Sequence, residues 1–523
     1  MSQLPELVQA LLSPKAYPEA SKQIELVQTQ MSFIFLTDEY VYKVKKPVNL
    51  GYLDYTTLEK RRFYCQREVE LNRRLCPEVY LGVVAITRGK GGILMGGQGE
   101  AIEYAVKMRR LPQEAMMDVL LTKNKLSPEM VARVAKRLVE FHQEAETNVT
   151  ISAFGDLDAI TKNTEENFTQ TEKYIGKTIS RENYQHIKDY TDSFIEKNAS
   201  LFRKRMAEGR IRDCHGDLHV AHICFTDGIS IYDCIEFNDR FRYCDIASEV
   251  AFLAMDLDHF GRADLSHSFV SAYVDMSRDK ELSELLNFYK CYRAYVRGKV
   301  ESFKLDDPYI TKTEKRQILD IASSYFDLAD SYTRSKPVLF ITAGLVGTGK
   351  TSLAQALAKR QGLVVISSDV TRKQLASIPV TEHRFEEFDT GIYSPDFSRL
   401  TYDKMFSQAK YILSEGRSVI IDASFVKAEE RLRARKLAEE VGADFFIVEC
   451  ILGEENIKQR LAQRLKEGST SDGRWEIYEL QKSQFEPVVE MPPTNHVIID
   501  TSQPVEKIIR QVLDKINGGG AKC

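Results

Sequence analysis

A glycine-rich segment in the last third of the chain has the residue types and spacing of a phosphate-binding loop. It reads Gly344-Leu-Val-Gly-Thr-Gly-Lys-Thr351, follows the apolar run 338–343 and precedes a helical pattern. Glycines let backbone N–H groups turn toward phosphate oxygens, and the helix start adds its dipole. The lysine of such a loop reaches the β- and γ-phosphates, and the hydroxyl after it binds Mg²⁺. The residues expected to hold a nucleotide are Gly344, Gly347, Thr348, Gly349, Lys350, Thr351 and Ser352.

Two acidic residues fall where predicted strands of the same region end. Asp369 follows the run 363–366, and Asp422 follows the run 418–421. The carboxyl ends of parallel strands lie at the ligand-binding edge of a sheet. Asp369 could accept a proton from a substrate hydroxyl while Arg372 holds a phosphate. The alternative is a helix cap and a surface arginine. Asp422 fits the acid that holds the Mg²⁺ water shell.

Two arginines precede a polar segment further along. Arg460 and Arg464 are four residues apart, so they share one face of a helix. The segment 467–473 that follows is rich in glycine, serine and threonine. Paired arginines before such a loop suit a lid that closes over phosphates and excludes water. The alternative is an ordinary solvated helix face.

A second group of chemical residues lies near the middle of the chain. The stretch Asp213-Cys-His-Gly-Asp217-Leu-His-Val-Ala-His222 has the layout of a phosphotransferase catalytic loop, in which an Asn stands five residues after the Asp. A short apolar run, 229–232, then ends in Asp233. In this scheme Asp217 orients or deprotonates an acceptor hydroxyl, and Asp233 holds Mg²⁺ on the nucleotide phosphates.

His222 stands where the layout calls for asparagine. An amide oxygen suits the hard ion Mg²⁺, whereas imidazole suits softer metals such as Mn²⁺ or Zn²⁺. Three interpretations stay open: a site that tolerates histidine, a site with a preference shifted toward Mn²⁺, and a weakened site.

A site of this type also needs a lysine on an early strand and a glutamate on the next helix. Lys43 and Lys45 alternate onto one face of a predicted strand, so either could serve. Glu68 is the expected partner and Glu70 the second choice. The alternative for each is a surface charge.

The pattern of predicted helices and strands that must position these residues changes near residues 328–337. After that point continuous apolar runs alternate with helical patterns, which predicts an α/β domain with a parallel sheet over 336–517. Before it, residues 1–330 predict an α+β domain with two lobes. The small lobe contains a sheet and covers about 1–112, and the helical lobe covers about 113–330.

Composition excludes some classes of protein. The 523 residues carry a net charge of −4, so no global basic field favours nucleic acid. No signal peptide and no apolar stretch long enough for a bilayer are present, which predicts a cytoplasmic protein without a membrane partner. Four of the nine cysteines are spaced by ten, from Cys214 to Cys244. They are interpreted as reduced thiols, with zinc as the alternative, because tight ligand spacing is lacking.

The C-terminal motifs resemble the small P-loop kinases, such as gluconate kinase, the zeta toxins and the kinase half of polynucleotide kinase. The resemblance covers about residues 336–515. It implies that Asp369 is the substrate base, that Arg460 or Arg464 is the transition-state cation, and that two arginines bind substrate. The residues that carry it are Gly344–Thr351, Asp369, Arg372, Asp422, Arg431, Arg460 and Arg464.

The N-terminal motifs resemble the aminoglycoside phosphotransferase-like kinases, a superfamily that shares its fold with protein kinases and includes choline and homoserine kinases. His215-Gly-Asp217-Leu-His219 and Asp233-x-x-Glu236-Phe carry the match. The resemblance implies a bilobal protein-kinase-like fold, and it favours Lys43 over Lys45. The fusion of the two domains also resembles a known bacterial family.

Three functions follow as hypotheses. The leading one is a phosphotransferase with two sites for ATP or GTP, each using Mg²⁺ and a small-molecule hydroxyl acceptor. The second is a regulatory nucleotide-binding ATPase with a degenerate or protein-directed kinase-like half. The third is a nucleic-acid 5′-end kinase, which the acidic net charge disfavours. The acceptor and the oligomeric state stay open.

Overall fold

The computed structural model describes residues 4–226, 228–307, 310–334, 336–379, 390–414, 416–467 and 474–518, with only the backbone given for 464–467 and 517–518. The chain forms two compact units. Unit 1 comprises Met1–Leu257 and Leu265–Asp306, and unit 2 comprises Asp258–Asp264 and Asp307–Cys523. Within the described ranges, no helix is both long and apolar enough to cross a membrane.

Unit 1 begins with a six-stranded antiparallel sheet in the order β1-β2-β3-β6-β4-β5. In strand β3 apolar and charged residues alternate because successive side chains point to opposite faces of the sheet. Tyr42 and Val44 belong to the apolar cluster on the side of the first helix, so Lys43 and Lys45 project to the opposite face. The strands are β1 (Glu25–Gln28), β2 (Ser32–Leu36), β3 (Tyr40–Lys45), β4 (Tyr80–Gly89), β5 (Gly92–Met95) and β6 (Glu100–Arg109).

Two helices accompany this sheet. Helix α1 (Glu6–Leu11) contributes Val8 and Leu11 to the cluster beneath Tyr42. Helix α2 (Leu58–Asn72) covers the other face, and the Thr57 side chain caps it by accepting from the Lys60 N–H. The face with the two lysines therefore meets the helix that carries Glu68.

The rest of unit 1 is mostly helical, with two short antiparallel pairs of strands, β7 with β10 and β8 with β9. Helix α4 begins with a Ser127 cap followed by Pro128, which suits a first helical turn. The elements are α3 (Met117–Thr122), α4 (Pro128–Glu144), α5 (Val149–Ser152), α6 (Leu157–Thr171), α7 (Arg181–Lys197), α8 (Ala199–Ala207), β7 (Ile211–Asp213), β8 (Ile223–Phe225), β9 (Ile229–Ile231), α9 (Asp239–Arg242), β10 (Tyr243–Asp245), α10 (Ile246–His259), α11 (Ala263–Ser277) and α12 (Leu282–Phe303).

Unit 2 contains a five-stranded sheet in which every pair is parallel, which confirms the predicted α/β domain. The order is β12-β13-β11-β14-β15, so the strand before the glycine-rich loop is central. Apolar clusters cover both faces, as the continuous apolar runs predict. The strands are β11 (Val338–Ala343), β12 (Val364–Ser367), β13 (Val419–Asp422), β14 (Asp444–Ile451) and β15 (His496–Asp500).

The helix before the first strand of this sheet, α13 (Lys312–Ser331), lies in unit 2, although the predicted boundary assigned it to the first domain. Asp327 on this helix accepts from Arg360 at 2.7 Å, and the arginine is buried. This ion pair joins α13 to the helix that follows the loop. The later helices are α14 (Lys350–Gln361), α15 (Ser368–Leu375), α16 (Pro395–Ser414), α17 (Ala428–Val441), α18 (Glu454–Glu467), α19 (Trp475–Gln484) and α20 (Val505–Gly518).

Replacing Gly344 by alanine is expected to destabilise unit 2 more than the same change at Gly442. Both have positive φ, +126° and +71°, which costs an L-residue about 1–2 kcal/mol. A Cβ at Gly344 would also lie 2.4 Å from the Cys450 carbonyl oxygen, whereas Gly442 has open space. Overpacking of this kind adds about 1–3 kcal/mol. Urea unfolding of the two variants measures the difference, and equal free energies of unfolding would contradict the expectation.

Candidate functional site

The glycine-rich loop lies between the end of β11 and the start of α14, as a phosphate-binding loop requires. Three of its glycines, Gly344, Gly347 and Gly349, have positive φ. The Leu345 carbonyl accepts from the Lys350 Nζ and from the Thr348 hydroxyl, each at 2.7 Å. The loop is therefore held in a closed turn with its lysine folded along it.

The acid predicted at the end of β13 lies within electrostatic range of this loop and of the second predicted acid. Asp422 ends β13 and is buried, and its Oδ1 is 3.5 Å from the Thr342 hydroxyl. Burial raises the pKa of Asp422, the Thr351 hydroxyl and the Lys350 charge oppose this rise, and the Asp369 charge adds to it. Three predicted site residues, Lys350, Thr351 and Asp369, thus act on Asp422. Ser352 lies exposed in the first turn of α14.

Arg460 also reaches the loop. Its guanidinium donates to the Thr501 carbonyl at 2.7 Å and to the Thr501 hydroxyl at 3.1 Å, and this hydroxyl donates to the Thr348 carbonyl at 2.6 Å. The side chain of Arg464 and the segment 468–473 lie outside the described residues. Sequence reasoning missed Thr501, although a residue directly after β15 falls at the same edge of the sheet.

The pair of helices α18 and α19 packs on the tip of the loop. Val346 of the loop lies in an apolar cluster with Ile457, Leu461 and Tyr478. The Val346 N–H donates to the Gln481 side chain at 2.9 Å, so a backbone donor of the loop is bound by α19. No motif in the sequence pointed to Gln481.

The two arginines expected to bind substrate are buried among other protein groups. Arg372 donates to the Ile392 carbonyl at 2.5 Å and to the Ser398 hydroxyl at 3.1 Å. Arg431 is fully buried, with an ion pair to Glu490 and bonds to four carbonyl oxygens. A substrate contact by either arginine stays a prediction. Arg431 would have to exchange these bonds, whereas the buried Nε of Arg372 has no hydrogen-bond partner among the described residues.

In unit 1 the two lysines of β3 and Glu68 of α2 form a buried chain of charges. The Lys43 Nζ lies 2.9 Å from Glu68 Oε1 and 2.6 Å from Asp233 Oδ1. The Lys45 Nζ lies 2.6 Å from Glu68 Oε2 and is ion-paired with Glu236. Glu70, the second choice, instead faces Arg67 at 3.5 Å and is exposed.

The two lysines differ in what they can reach. Lys45 is almost fully buried, and Tyr55 donates to its partner Glu236 at 2.5 Å. Lys43 retains 16% exposure and contacts Asp233, which also faces His222. Burial opposes the charge of Lys43, but Asp233 and Glu68 outweigh it and raise the pKa of the lysine. Of the two lysines, Lys43 is thus the one that lies beside Asp233.

Glu249 of α10 holds the loop that carries Asp217 through hydrogen bonds to the loop backbone. Glu249 Oε1 accepts the backbone N–H groups of His215 and Gly216 at 2.6 and 2.8 Å. Its other oxygen is 2.6 Å from His142 Nε2, and His142 Nδ1 is 2.7 Å from the Tyr273 hydroxyl. Sequence analysis gave Glu249 no role, because its partners come from distant helices.

Asp217 and two histidines occupy the end of this loop. His219 Nε2 and His222 Nδ1 lie 3.6 and 3.7 Å from Asp217 Oδ2, and His222 Nε2 lies 3.6 Å from Asp233 Oδ2. Burial alone would raise the pKa of Asp217, but its interactions with His219, His222 and Arg297 hold it well below its usual range. Asp217 is therefore ionised at neutral pH.

The four evenly spaced cysteines form no common metal site in the described part of the chain. The groups of three or more His, Cys, Asp and Glu side chains close enough there to share an ion are His142 with Cys214 and Glu249, and Asp217 with His219 and His222. The first group is already satisfied by the hydrogen bonds around Glu249.

Acid is expected to weaken unit 1 through Glu249. Burial would raise its pKa, but His142, His215 and the Gly216 N–H lower it to about 2 from an ordinary 4.5. Because the folded pKa is lower, the stabilisation is present above pH 4.5 and is lost as pH falls toward 2. We expect Glu249→Gln to lose about 3 kcal/mol at pH 7 and less at pH 3. Urea unfolding of wild type and variant at both pH values measures this, and a gap independent of pH would contradict it.

The fold and loop of unit 2 define a P-loop nucleotide-binding domain, and residues 339–488 match the family model described as "AAA domain". Over 456 residues the chain is 31% identical to the "Uncharacterized protein Rv2004c" of Mycobacterium tuberculosis and to the "Uncharacterized protein Mb2027c" of Mycobacterium bovis. The alignment covers 87% of this chain and 88% of each relative. The chain therefore belongs to the family of these mycobacterial proteins.

Two solved structures show weaker similarity. A gluconokinase from Sinorhizobium meliloti 1021 is 20% identical with a TM-score of 0.25, covering 35% of this chain and 93% of that chain. The Mycobacterium tuberculosis APS kinase CysC in complex with AMPPNP and APS is 20% identical with a TM-score of 0.27, covering 35% and 99%. At such TM-scores nothing further is inferred from either structure.

Proposed function

We propose that this protein is a phosphotransferase with two nucleotide centres, each moving the γ-phosphate of ATP or GTP to a hydroxyl group of a small molecule. One observation carries the proposal. In unit 1 Lys43 is ion-paired with both Glu68 and Asp233, and His222 lies between Asp233 and Asp217, although Lys43 and Asp233 are 190 residues apart. A lysine–glutamate pair, an acid suited to hold a metal and an acid suited to face the acceptor form the set that protein-kinase-like phosphoryl transfer uses.

In unit 1 the roles follow the aminoglycoside phosphotransferase-like and protein-kinase-like pattern. Lys43 holds nucleotide phosphates while Glu68 fixes the lysine. Asp217 accepts a hydrogen bond from the acceptor hydroxyl and takes its proton as the oxygen attacks the γ-phosphorus and the bond to the β-phosphate oxygen breaks. Because Asp217 is a weak base, its main contribution is to orient the hydroxyl.

In unit 2 the glycine-rich loop wraps the phosphates and Lys350 stabilises the charge on the β- and γ-oxygens. Thr351 and Asp422 offer hard oxygen ligands, which fit Mg²⁺. A bound Mg²⁺ neutralises charge on the transferring phosphate. Asp369 is the proposed base for the acceptor, and Arg460, bonded to Thr501 at the loop, is the proposed transition-state cation.

A polycationic acceptor such as an aminoglycoside is not proposed. The acids that follow the catalytic loop in the sequence and could bind one are hydrogen-bonded or ion-paired with other groups. Their partners are Arg242 for Asp239, Lys45 for Glu236, the Val220 N–H for Asp256 and Tyr332 for Asp258.

The proposal is tested by incubating the full chain with γ-³²P-ATP and a metabolite extract, then separating labelled products. Labelled organic phosphates that disappear in variants of either centre support it. Release of labelled inorganic phosphate alone would favour the regulatory ATPase instead. Label on 5′-hydroxyl oligonucleotides and on no metabolite would favour the end kinase.

A further inference from the structure

The cluster at the end of the catalytic loop offers a metal ion a histidine nitrogen as well as carboxylate oxygens. His222 lies between two carboxylates, with Nδ1 toward Asp217 and Nε2 toward Asp233. Its side chain is 15% exposed, and that of Asp233 is 39% exposed. Both side chains are thus only partly shielded from solvent.

The hydrogen bond of His222 decides which ring nitrogen is available. Nδ1 is 2.9 Å from the Asp217 carbonyl oxygen, which can only accept. Nδ1 therefore carries the hydrogen, and in the neutral ring Nε2 presents its lone pair toward Asp233. A histidine that donates one N–H to a backbone carbonyl and offers its other nitrogen has the arrangement typical of a metal ligand.

His219 has the opposite arrangement. The Ala221 N–H points at His219 Nδ1 at 3.4 Å, so this nitrogen accepts and Nε2 carries the hydrogen. Nε2 faces Asp217 Oδ2 at 3.6 Å. His219 is thus a positioning residue for Asp217 rather than a ligand, although it belongs to the same cluster.

The spacing of His222 and Asp233 fits one shared ion. Metal–nitrogen and metal–oxygen bonds of about 2.1 Å place two ligands of a tetrahedral ion about 3.4 Å apart and adjacent ligands of an octahedral ion about 3.0 Å apart. His222 Nε2 and Asp233 Oδ2 are 3.6 Å apart. Asp233 can hold the ion with Oδ2 while its Oδ1 remains bonded to Lys43.

We propose that unit 1 binds a borderline divalent transition ion, of the Mn²⁺ or Zn²⁺ class, between His222 Nε2 and Asp233 Oδ2. Imidazole nitrogen favours such ions over Mg²⁺. The inference rests on the proposed function, because the remaining ligands are water or nucleotide phosphate oxygens. It assigns unit 1 and unit 2 different metals, since Thr351 and Asp422 offer only oxygen.

Electron spin-echo spectroscopy of Mn²⁺ tests this directly, because it detects a nitrogen bonded to the ion. The sample is the full chain carrying Lys350→Ala, which weakens nucleotide binding in unit 2, with MnCl₂ and with or without ADP. We expect nitrogen coupling that His222→Asn abolishes and that His219→Asn, the matched control, retains. Mn²⁺ affinity is expected to fall at least about tenfold in His222→Asn.

The outcomes separate the metal site from the phosphotransfer proposal. Nitrogen coupling with MnCl₂ alone, without ADP binding to unit 1, would support the metal site and overturn phosphotransfer there. ADP binding without nitrogen coupling would overturn the metal site alone, and absence of both would overturn both. Coupling lost equally in both histidine variants would overturn the ligand assignment. Unchanged thermal midpoints of the metal-free variants exclude misfolding.

Discussion

Lys350→Ala is expected to lower nucleotide turnover by unit 2 about 10²–10³-fold, as loss of a preorganised charge at a transferring phosphate does. The lysine lies in the turn of the glycine-rich loop, 2.7 Å from the Leu345 carbonyl. Its charge also acts on Asp422. Alanine removes the only positive side chain within the loop sequence 344–351 and leaves its backbone donors in place.

The measurement is phosphate release or transfer from γ-labelled ATP in an Asp217→Asn background, so that unit 1 contributes little. Lys359→Ala is the matched control, because this lysine lies exposed in the last turn of the same helix. Full turnover in Lys350→Ala, or an equal loss in Lys359→Ala, would show that the loop is not the centre of the reaction.

Asp217→Asn is expected to lower transfer by unit 1 about 10²–10⁴-fold, the usual contribution of a positioned acid–base group. The substitution keeps the size of the side chain and the backbone carbonyl that binds His222. It removes the charge that His219, His222 and Arg297 stabilise, and with it the proton acceptor.

This second measurement uses a Lys350→Ala background and the labelled product of unit 1. Asp158→Asn, an exposed aspartate in the first turn of α6, is the control. Because the change acts on an orienting group, kcat should fall while the KM for ATP changes little. A fall in ATP affinity without a change in kcat would contradict the role given to Asp217.

The sequence was sufficient to predict unit 2 because its signals are local. Continuous apolar runs predicted all five strands of the parallel sheet, since a strand buried on both faces needs no polar alternation. The acids at the ends of these runs followed from the same rule. The burial of Arg431 did not, because its ion-pair partner Glu490 lies in a segment without a recognisable pattern.

Unit 1 was harder to predict for a physical reason. The alternation in β3 placed Lys43 and Lys45 on one face, but the choice between them depends on acids that only tertiary packing brings near. Glu236 reaches Lys45 and Asp233 reaches Lys43. Likewise, the tautomer of His222 depends on a backbone carbonyl. Spacing identifies candidate groups, whereas their partners determine what each can do.

The ion pairs of Lys43 have a consequence for how ionic strength acts on unit 1. Lys43 already contacts Glu68 and Asp233, so a phosphate that reaches it replaces one anionic partner with another. Lys43 loses little bound water in that exchange, because its side chain is already largely shielded from solvent. Added salt would then screen the outgoing and the incoming contact alike. Affinity for a nucleotide at this lysine should accordingly vary less with salt than affinity at an exposed basic surface.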